Sequence, residues 1–596
     1  MRLSFVARWL LIVSLVLASA ITLATPAVAD PNTNALFGTV TDITTGQPVN
    51  NACITIGPPV RCATMTTADG KWFVSLQGAP DGLTWDVRVL LGGQIKKEFL
   101  GVVVTGPTKV DAQIDATGFV VPAACGQLRT DTPTATNYLP NITKTLGGPS
   151  GWQTPFIVQN TGLATTTLEV SWYNFSDGSC VKRITIDRGQ GTSYAYVPNN
   201  DSVLPDNAQY SVVVRSFGAS IVSVVNEHQG GGERAEAMSY NGFATGAKSV
   251  FLPNITRRFC AGCRSGSAGF VTPFIIQNLG ANTTVATAQF IERGGPASPV
   301  TVQLAIDPGK SKPIDPNSTV GLIDGKAYAV TVTADQPVAV VVNTHDDLGS
   351  VANPIAYSTD GIAVGAATVY VPYAAKNTDG VARVSTIVVQ NVGSLATTPS
   401  LKFTPIGGGT ATSFSVGSLD ASKAAAFDPR YTNGDTTQAL CGSVASTGCL
   451  ADGEYSVEIT GAGGSIAAAI NVISGATGMG YMALSQPAPK YFLPNVTRTL
   501  GGASGWTTPI MLQSVTASSA QLNWYRFVDG TLVTQQTVPL TPGSGVRVDP
   551  RNNASLADDT QYAVVVTATG GNVAAVVVES AAGGDNAMIY EGFPSP

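Results

Sequence analysis

The sequence predicts an all-β protein, a tandem array of β-sandwich domains, and three observations predict it. Charged residues make up 12% of the 596 residues, while Gly, Thr, Val and Ala dominate the segments between turns. That composition suits pleated sheet, where β-branched side chains pack well and glycine marks the turns. One line is written four times: LPNITKTLGGPSGWQTPF from Leu139, FLPNITRR leading to FVTPFIIQN from Phe251, YVPYAAKN leading to VSTIVVQN from Tyr370, and LPNVTRTLGGASGWTTPI from Leu493. Between the copies lie short alternating or β-branched runs bounded by Gly, Pro, Asn and Asp, the pattern of strands and turns.

Residues 1–29 read as a secretory signal, with Arg2 and Arg8, an apolar stretch, and Ala27-Val28-Ala29 before Asp30. No later stretch approaches the roughly 20 apolar residues that span a bilayer. The expectation is a secreted protein, extracellular or at the cell surface, with no transmembrane segment after cleavage and no covalent anchor. Cleavage takes Arg2 and Arg8 from the 33 basic residues, leaving 31 against 39 acidic ones and a charge of −8. That balance argues against nucleic acid as a partner, which would call for clustered positive charge.

Residues 30–116 differ from the repeats. FGTVTDITTGQPVNNACITI, TMTTADGKWFVSL, WDVRVLL and FLGVVV are short runs bounded by Gly, Pro or Asp, as in a small sandwich. Gly38, Val40 and Asp42, then Gly46, Pro48 and Val49, then Ala68-Asp69-Gly70 before Trp72 and Phe73 give a pattern that resembles the carboxypeptidase regulatory-like (CnaB-like, transthyretin-like) domain family. The resemblance implies a non-catalytic module of the kind that accompanies secreted surface proteins. Some members of that family form an internal Lys–Asn bond, but the first strand, GTVTD, has no lysine, so the cross-link is not expected.

Residues 117–136 read as a linker, followed by repeats at 137–249, 250–368, 369–490 and 491–596. Pro140, Pro253, Pro372 and Pro494 are 113, 119 and 122 residues apart, too long for a solenoid unit and right for whole small domains. In the first repeat TPFIVQN ends at Asn160-Thr161-Gly162. TTLEVSWYNF then alternates, with Leu168, Val170 and Trp172 on one face, and turns at Ser176-Asp177-Gly178. Seven or eight such strands in about 110 residues predict an immunoglobulin-like sandwich. Asp206, Asp324, Asp452 and Asp558 each stand shortly before a tyrosine (Tyr210, Tyr328, Tyr455, Tyr562) that opens a β-branched run, the signature of a tyrosine corner. Trp172, Phe290, Phe403 and Trp524 occupy matching places as the aromatic core plug. The order VQN-x-G, D-G hairpin, P-G turn and Y-x-V-x-V strand resembles CARDB-like and related immunoglobulin-like bacterial surface repeats, on Gln159-Asn160, Asp177-Gly178 and Tyr210 in the first copy and Asp529-Gly530, Pro542-Gly543 and Tyr562 in the last. The short, proline-bearing links predict neighbouring repeats held end to end as an extended spacer, with a radius of gyration well above the roughly 25 Å of a compact chain of this length.

Eight cysteines in an exported chain imply disulfides. Closeness suggests Cys53 with Cys62, Cys260 with Cys263 and Cys441 with Cys449, leaving Cys125 with Cys180; CAGC at Cys260 also looks like half a zinc site, but no second ligand pair follows it. The histidines His228 and His345 align with Ile473 and Ser580, which argues against a catalytic or metal role. No G-x-S-x-G, H-E-x-x-H or P-loop occurs. The acidic pairs Asp346-Asp347 and Asp558-Asp559, and the turns Asp315-Pro316-Asn317 and Asp549-Pro550-Arg551, read as turn chemistry before glycoside hydrolysis or calcium binding. Trp152, Phe270 and Trp506 precede the T-P strand, with Arg383 at that place in the third copy. These aromatics either stack on sugar rings or pack against their own Leu-Pro-Asn line. The expected function is a non-enzymatic surface or matrix protein, spacer or adhesin, with no cofactor and with a cell-surface polysaccharide or another surface protein as partner. A carbohydrate-binding protein using the aromatics comes second, and an unrecognised polysaccharide hydrolase third.

Overall fold

The computed structural model describes residues 34–595 except 51, 58–61, 68, 77–78, 92–93, 117–124, 126, 231–234, 261–266, 297, 348–353 and 379–382. The expected signal segment, the side chain of Cys62, and Cys263 lie outside the described residues. The chain is all-β and divides into two compact units at Ala123/Ala124.

The first unit is a small sandwich. One sheet sets Ala35–Asp42 between Lys71–Ser75 and two short parallel partners, Pro107–Lys109 and Ala112–Ile114. The other runs Cys62–Met65, Cys53–Ile56, Leu83–Leu91, Gln94–Val104. Leu36, Val40, Ile54, Trp72, Val87 and Val89 fill the space between them. Gly38 is there because a Cβ would stand 1.9 Å from the Val110 carbonyl oxygen. The Asp42 carboxylate accepts the backbone N–H groups of Thr44, Thr45 and Ala116 at 3.0, 2.7 and 2.8 Å. Those bonds, Thr45 foremost, hold its pKa below the ordinary value.

The second unit contains all four repeats, each with an outer and an inner sheet. In the first repeat the outer sheet is Cys180–Arg188, Thr166–Asn174, Ala208–Phe217, Ala135–Lys144, and the inner sheet is Ser193–Tyr196, Phe156–Asn160, Ile221–Gln229, Glu236–Asn241. The other repeats follow the same order with additions: in the second, Lys326–Asp346 is one continuous strand that serves both sheets; in the third, Thr368–Thr378 pairs with Arg383–Asn391 and joins the two sheets; in the fourth, Phe593–Ser595 adds a fifth outer strand. Trp172, Phe290, Phe403 and Trp524 are buried between the sheets. The tyrosine corners form: the hydroxyl of Tyr210 donates to Pro205 O at 3.1 Å, that of Tyr455 to Ala451 O at 2.7 Å and that of Tyr562 to Ala557 O at 3.2 Å, while the hydroxyl of Tyr328 accepts from Ile323 N at 2.8 Å.

The repeats are not strung end to end. The opening strand of each lies against the inner sheet of the next: Ala135–Lys144 on the second repeat, Ala247–Arg257 on the third, Thr368–Thr378 on the fourth and Lys490–Arg498 back on the first. The four closing strands, Glu236–Asn241, Ala356–Asp360, Gly478–Met482 and Ala587–Glu591, meet their neighbours in the same cyclic order. This is one head-to-tail interface used four times and closed on itself. The extended row expected for the repeats is therefore corrected to a closed ring. The physical reason is that the Leu-Pro-Asn line is not a linker. It is a strand whose pairing slips beside each proline, between Leu139 and Ile142, Leu252 and Ile255, Val371 and Ala374, and Leu493 and Val496. Proline, which lacks a ladder N–H, is tolerated at such a bulge. The expected linker 117–136 also ends early, since Arg129 N donates to Glu169 and Thr134 N to Ser216 O on the first repeat.

Candidate functional site

The seams of the ring gather the side chains with chemistry. The strands Phe156–Asn160, Phe274–Asn278, Ile510–Ser514 and most of Arg383–Asn391 are buried on both faces. One face serves the strand's own core. The other enters the preceding repeat: Ile275 packs into the core of the first repeat, Val388 packs on Ala329 of the second, and Ile157 joins the core of the fourth. Polar bonds repeat around the ring as well, from Ser211 Oγ to Gly309 O (3.1 Å), Lys423 Nζ to Gly295 O (2.8 Å), Gly407 N to Gly545 O (3.1 Å) and Ser193 N to Phe527 O (3.4 Å).

Asparagine in Leu-Pro-Asn has a defined task. Asn141 Nδ2 donates to both carboxyl oxygens of Glu227 at 3.0 and 3.1 Å, Gln209 Nε2 donates to Asn141 Oδ1 at 2.7 Å, and the Tyr240 hydroxyl donates to Asn141 O at 2.7 Å. The fourth repeat reproduces the set with Asn495, Glu579, Gln561 and Tyr590. Glu227 also meets Asn343 of the second repeat, and Glu579 meets Asn226 of the first. Burial pushes each of these two glutamates up to about 8, against the asparagine hydrogen bonds that pull them down. At the seam between the second and third repeats the glutamate and tyrosine places hold Thr344 and Thr359. Both line a cavity of about 10 Å³ with Asn254, Asp360 and Asn471, room for a single water.

Towards the axis, Asp585 of the fourth repeat accepts Ala356 N of the second and Gly478 N of the third, both at 2.7 Å, and its own N–H donates to Ala235 O of the first. One residue, through its carboxylate and its backbone N–H, thus ties four repeats. Asp360 and Glu591 stand near each other there, and burial raises both carboxyls, Glu591 to about 7. Gly480 allows the closing strands of the second and third repeats to approach, because a Cβ there would stand 2.5 Å from the Tyr357 ring.

The three aromatics singled out in the sequence are half-buried. Trp152 pairs by backbone with Leu146, Trp506 with Leu500 and Phe270 with Phe259, each closing a small loop. The loop needs its last glycine, since a Cβ on Gly151 or Gly505 would lie 2.2 or 2.1 Å from the carbonyl oxygen of Leu146 or Leu500. The Trp506 ring meets His228 of the first repeat edge-on at 5.5 Å, and Phe270 meets Tyr357 at 6.3 Å. Burial lowers His228 to about 4, so it is neutral. The strand following each aromatic pairs with the histidine position, Gln153 with His228, Val271 with His345, Val384 with Ile473 and Thr507 with Ser580.

The acidic candidates are engaged in turns and ion pairs. Asp346 accepts Ser267 Oγ and Ile355 N, Asp347 pairs with Arg258, Asp558 with Arg498, and Asp559 accepts Gly501 N. Asp315 and Asp549 accept the N–H two residues on, from Asn317 and Arg551. Among the described residues no group of three or more His, Cys, Asp or Glu is placed to hold a metal ion, and no helix is long and apolar enough to cross a membrane. Cys125 is bonded to Cys180 and Cys441 to Cys449. Cys53 and Cys260 are in disulfides whose partner atoms lie outside the described residues.

A second cavity, of about 160 Å³, opens at the seam between the third and fourth repeats, lined by Tyr373, Arg383, Met479, Pro509, Met511, Arg547, Val578, Ser580 and Ala587. Arg383 Nη1 donates to the Tyr373 hydroxyl at 3.3 Å, and Arg547 Nη1 to Glu454 Oε1 at 3.1 Å. Burial pushes the Tyr373 hydroxyl up to about 12. Sequence reading noticed Arg383 only as the odd member of an aromatic column and missed Glu227, Glu579 and Arg547. The signal was present in the first case, a glutamate inside the apolar run SIVSVVNEH.

These features define a class: an all-β chain with four sandwiches closed into a ring by one repeated seam. No protein-family model matches the chain, and no curated protein matches it. Among solved structures, Thermotoga maritima 1070 is 22% identical over 20% of this chain and 94% of its own, with a TM-score of 0.16. BcpA, the major pilin subunit of Bacillus cereus, is 12% identical over 55% of this chain and 95% of its own, TM-score 0.11. The RrgB pilus protein of Streptococcus pneumoniae is 9% identical over 76% and 94%, TM-score 0.14. Scores of this size define no shared arrangement of domains.

Proposed function

We propose that the chain is a non-enzymatic, exported surface or matrix protein, with the four repeats acting as one rigid body in attachment or architecture. The observation that carries this reading is the use of the reactive side chains. The buried glutamates, His228, Asp585 and the acidic turns all hold backbone, ion pairs or seams, so their unusual environments are accounted for by assembly of the ring. The closed seam also replaces the spacer reading for the repeats: a ring resists bending at every join and presents fixed loops. Regulatory-like and immunoglobulin-like family membership remain part of this proposal, resting on the sequence resemblance and the sandwich folds.

Retention of the protein on washed cells, followed by immunolabelling, tests the location; recovery solely from the cytosol would overturn it. For attachment, glycan and surface-protein arrays are the measurement. Binding to a polysaccharide that is lost in Trp152→Ala but not in Trp506→Ala would favour the carbohydrate reading, because Trp506 is already engaged with His228. Turnover of polysaccharide or peptide substrates by the purified protein would refute the non-enzymatic reading.

A further inference from the structure

The four seams are built from equivalent strands, so their side chains can be compared place by place. Between the fourth and first repeats, Trp506 and His228 meet at 5.5 Å. At the equivalent places between the third and fourth repeats stand Arg383 and Ser580, a cation and a small hydroxyl, and the space is an open cavity of about 160 Å³. The inner-sheet position that is Ala195 in the first repeat and Ala426 in the third is Arg547 in the fourth, and it reaches the same cavity. One seam has therefore exchanged an aromatic plug for two guanidinium groups, a tyrosine hydroxyl and a serine hydroxyl, with Met479, Met511, Pro509 and Val578 as apolar walls.

We propose that this cavity is a binding site for a carboxylate carried on a six-membered ring or an apolar body of that size. The size follows from the volume, which is close to the about 150 Å³ of an apolar cavity that admits benzene. The charge follows from the guanidinium fork, which matches a carboxylate with two parallel N–H bonds. Both guanidiniums are anchored: Arg383 by the Tyr373 hydroxyl and Arg547 by Glu454 across the seam. A guanidinium carries five N–H donors, more than one carboxylate oxygen occupies, so Arg547 can hold Glu454 and a ligand together. The thioether and proline walls take the ring. This site goes beyond the surface-protein reading and stands without it. Two sources share the chemistry, a uronic acid of a glycan and a small aromatic acid.

Isothermal titration of the full chain with D-glucuronate, benzoate and sulfate tests the site. The expected result is a dissociation constant on the order of 1 mM for at least one of the two carboxylates, with sulfate at least about tenfold weaker. A response to glucuronate alone marks the glycan source, and a response to benzoate alone the aromatic one. Arg383→Trp with Ser580→His installs the plug of the fourth–first seam and should weaken binding at least about tenfold while thermal unfolding is unchanged or raised. Arg383→Gln, which keeps the cavity open, should weaken it similarly and decides the matter if the double variant fails to fold. Absence of binding by both carboxylates, sulfate binding as tightly as they do, or unchanged affinity in the variants overturns the proposal.

Discussion

Outer and inner sheets of the repeats are made of similar residues and do different work. On the outer sheet of the second repeat, Thr284–Glu292 alternates, with Val285 50% exposed between buried neighbours. On the inner sheet Phe274–Asn278 is buried throughout, and Ile275, 6% exposed, sits in the first repeat's core. The first kind of strand shields one core; the second joins two. The difference teaches that continuity of an apolar run, as against alternation, marks where domains meet.

The sharpest way to break this comparison is to place the same charge on each sheet. Ile275→Asp should cost several kcal/mol and open the ring, because a carboxylate without a partner is buried between two repeats. Val285→Asp should change stability by no more than about 0.5 kcal/mol. Denaturant unfolding of both variants measures the contrast, and equal effects would remove it. Next in size, Trp524→Ala should cost about 3–5 kcal/mol. Since the third and fourth cores are continuous and reach Ile157 and Val224 of the first repeat, calorimetry should show the repeats weakened as a body while the transition of the first sandwich stays in place.

Proton linkage sharpens the comparison at the seams. Glu227 and Glu579 have folded pKa values of about 8 against an ordinary value of 4.5. A raised carboxyl favours the folded state fully below the ordinary value and loses that contribution as pH rises through the folded one. Ring stability should therefore fall between about pH 4.5 and pH 8, by about 1.4 kcal/mol per pH unit for each group. Glu227→Gln with Glu579→Gln should flatten that slope in melting curves taken across the window. His228, lowered to about 4, acts with the opposite sign, its contribution being full above about 6.5 and lost as pH falls towards 4. A smaller loss than those at the seams belongs to the outer sheet, where Tyr562→Phe removes the corner hydrogen bond and should cost about 1 kcal/mol.

Much of each repeat was legible in the chain. Tyrosine after an Asp turn, the aromatic plug at Trp172 and Trp524, and the D-G hairpins are local signals whose spacing survives in sequence. VQN-x-G was legible as a turn, and its geometry follows: Asn160 Oδ1 accepts Gly162 N at 2.9 Å while Nδ2 donates to Ala164 O at 2.7 Å. The ring was not legible as such, because a proline beside Gly-rich sequence reads as a linker and only the partner surface shows it to be a bulged strand. Nor did Arg547 stand out, because a lone arginine in GVRV acquires meaning only opposite Arg383, 164 positions earlier. FIVQN, FIIQN, IVVQN and IMLQS, apolar without alternation, were the available clue to the seams.

Closure of the ring also orders events in time. The opening strand of the fourth repeat covers the first, so the earliest repeat to leave the ribosome keeps one face bare until the last has emerged. A chain cut before Lys490 carries, on a single molecule, the uncovered inner sheet of the first repeat and the uncovered opening strand of the third. Those faces are the two halves of the same seam, and between molecules they can join head to tail. Clipping by a protease, or stalled synthesis, would thereby turn a self-contained ring into a monomer able to polymerise.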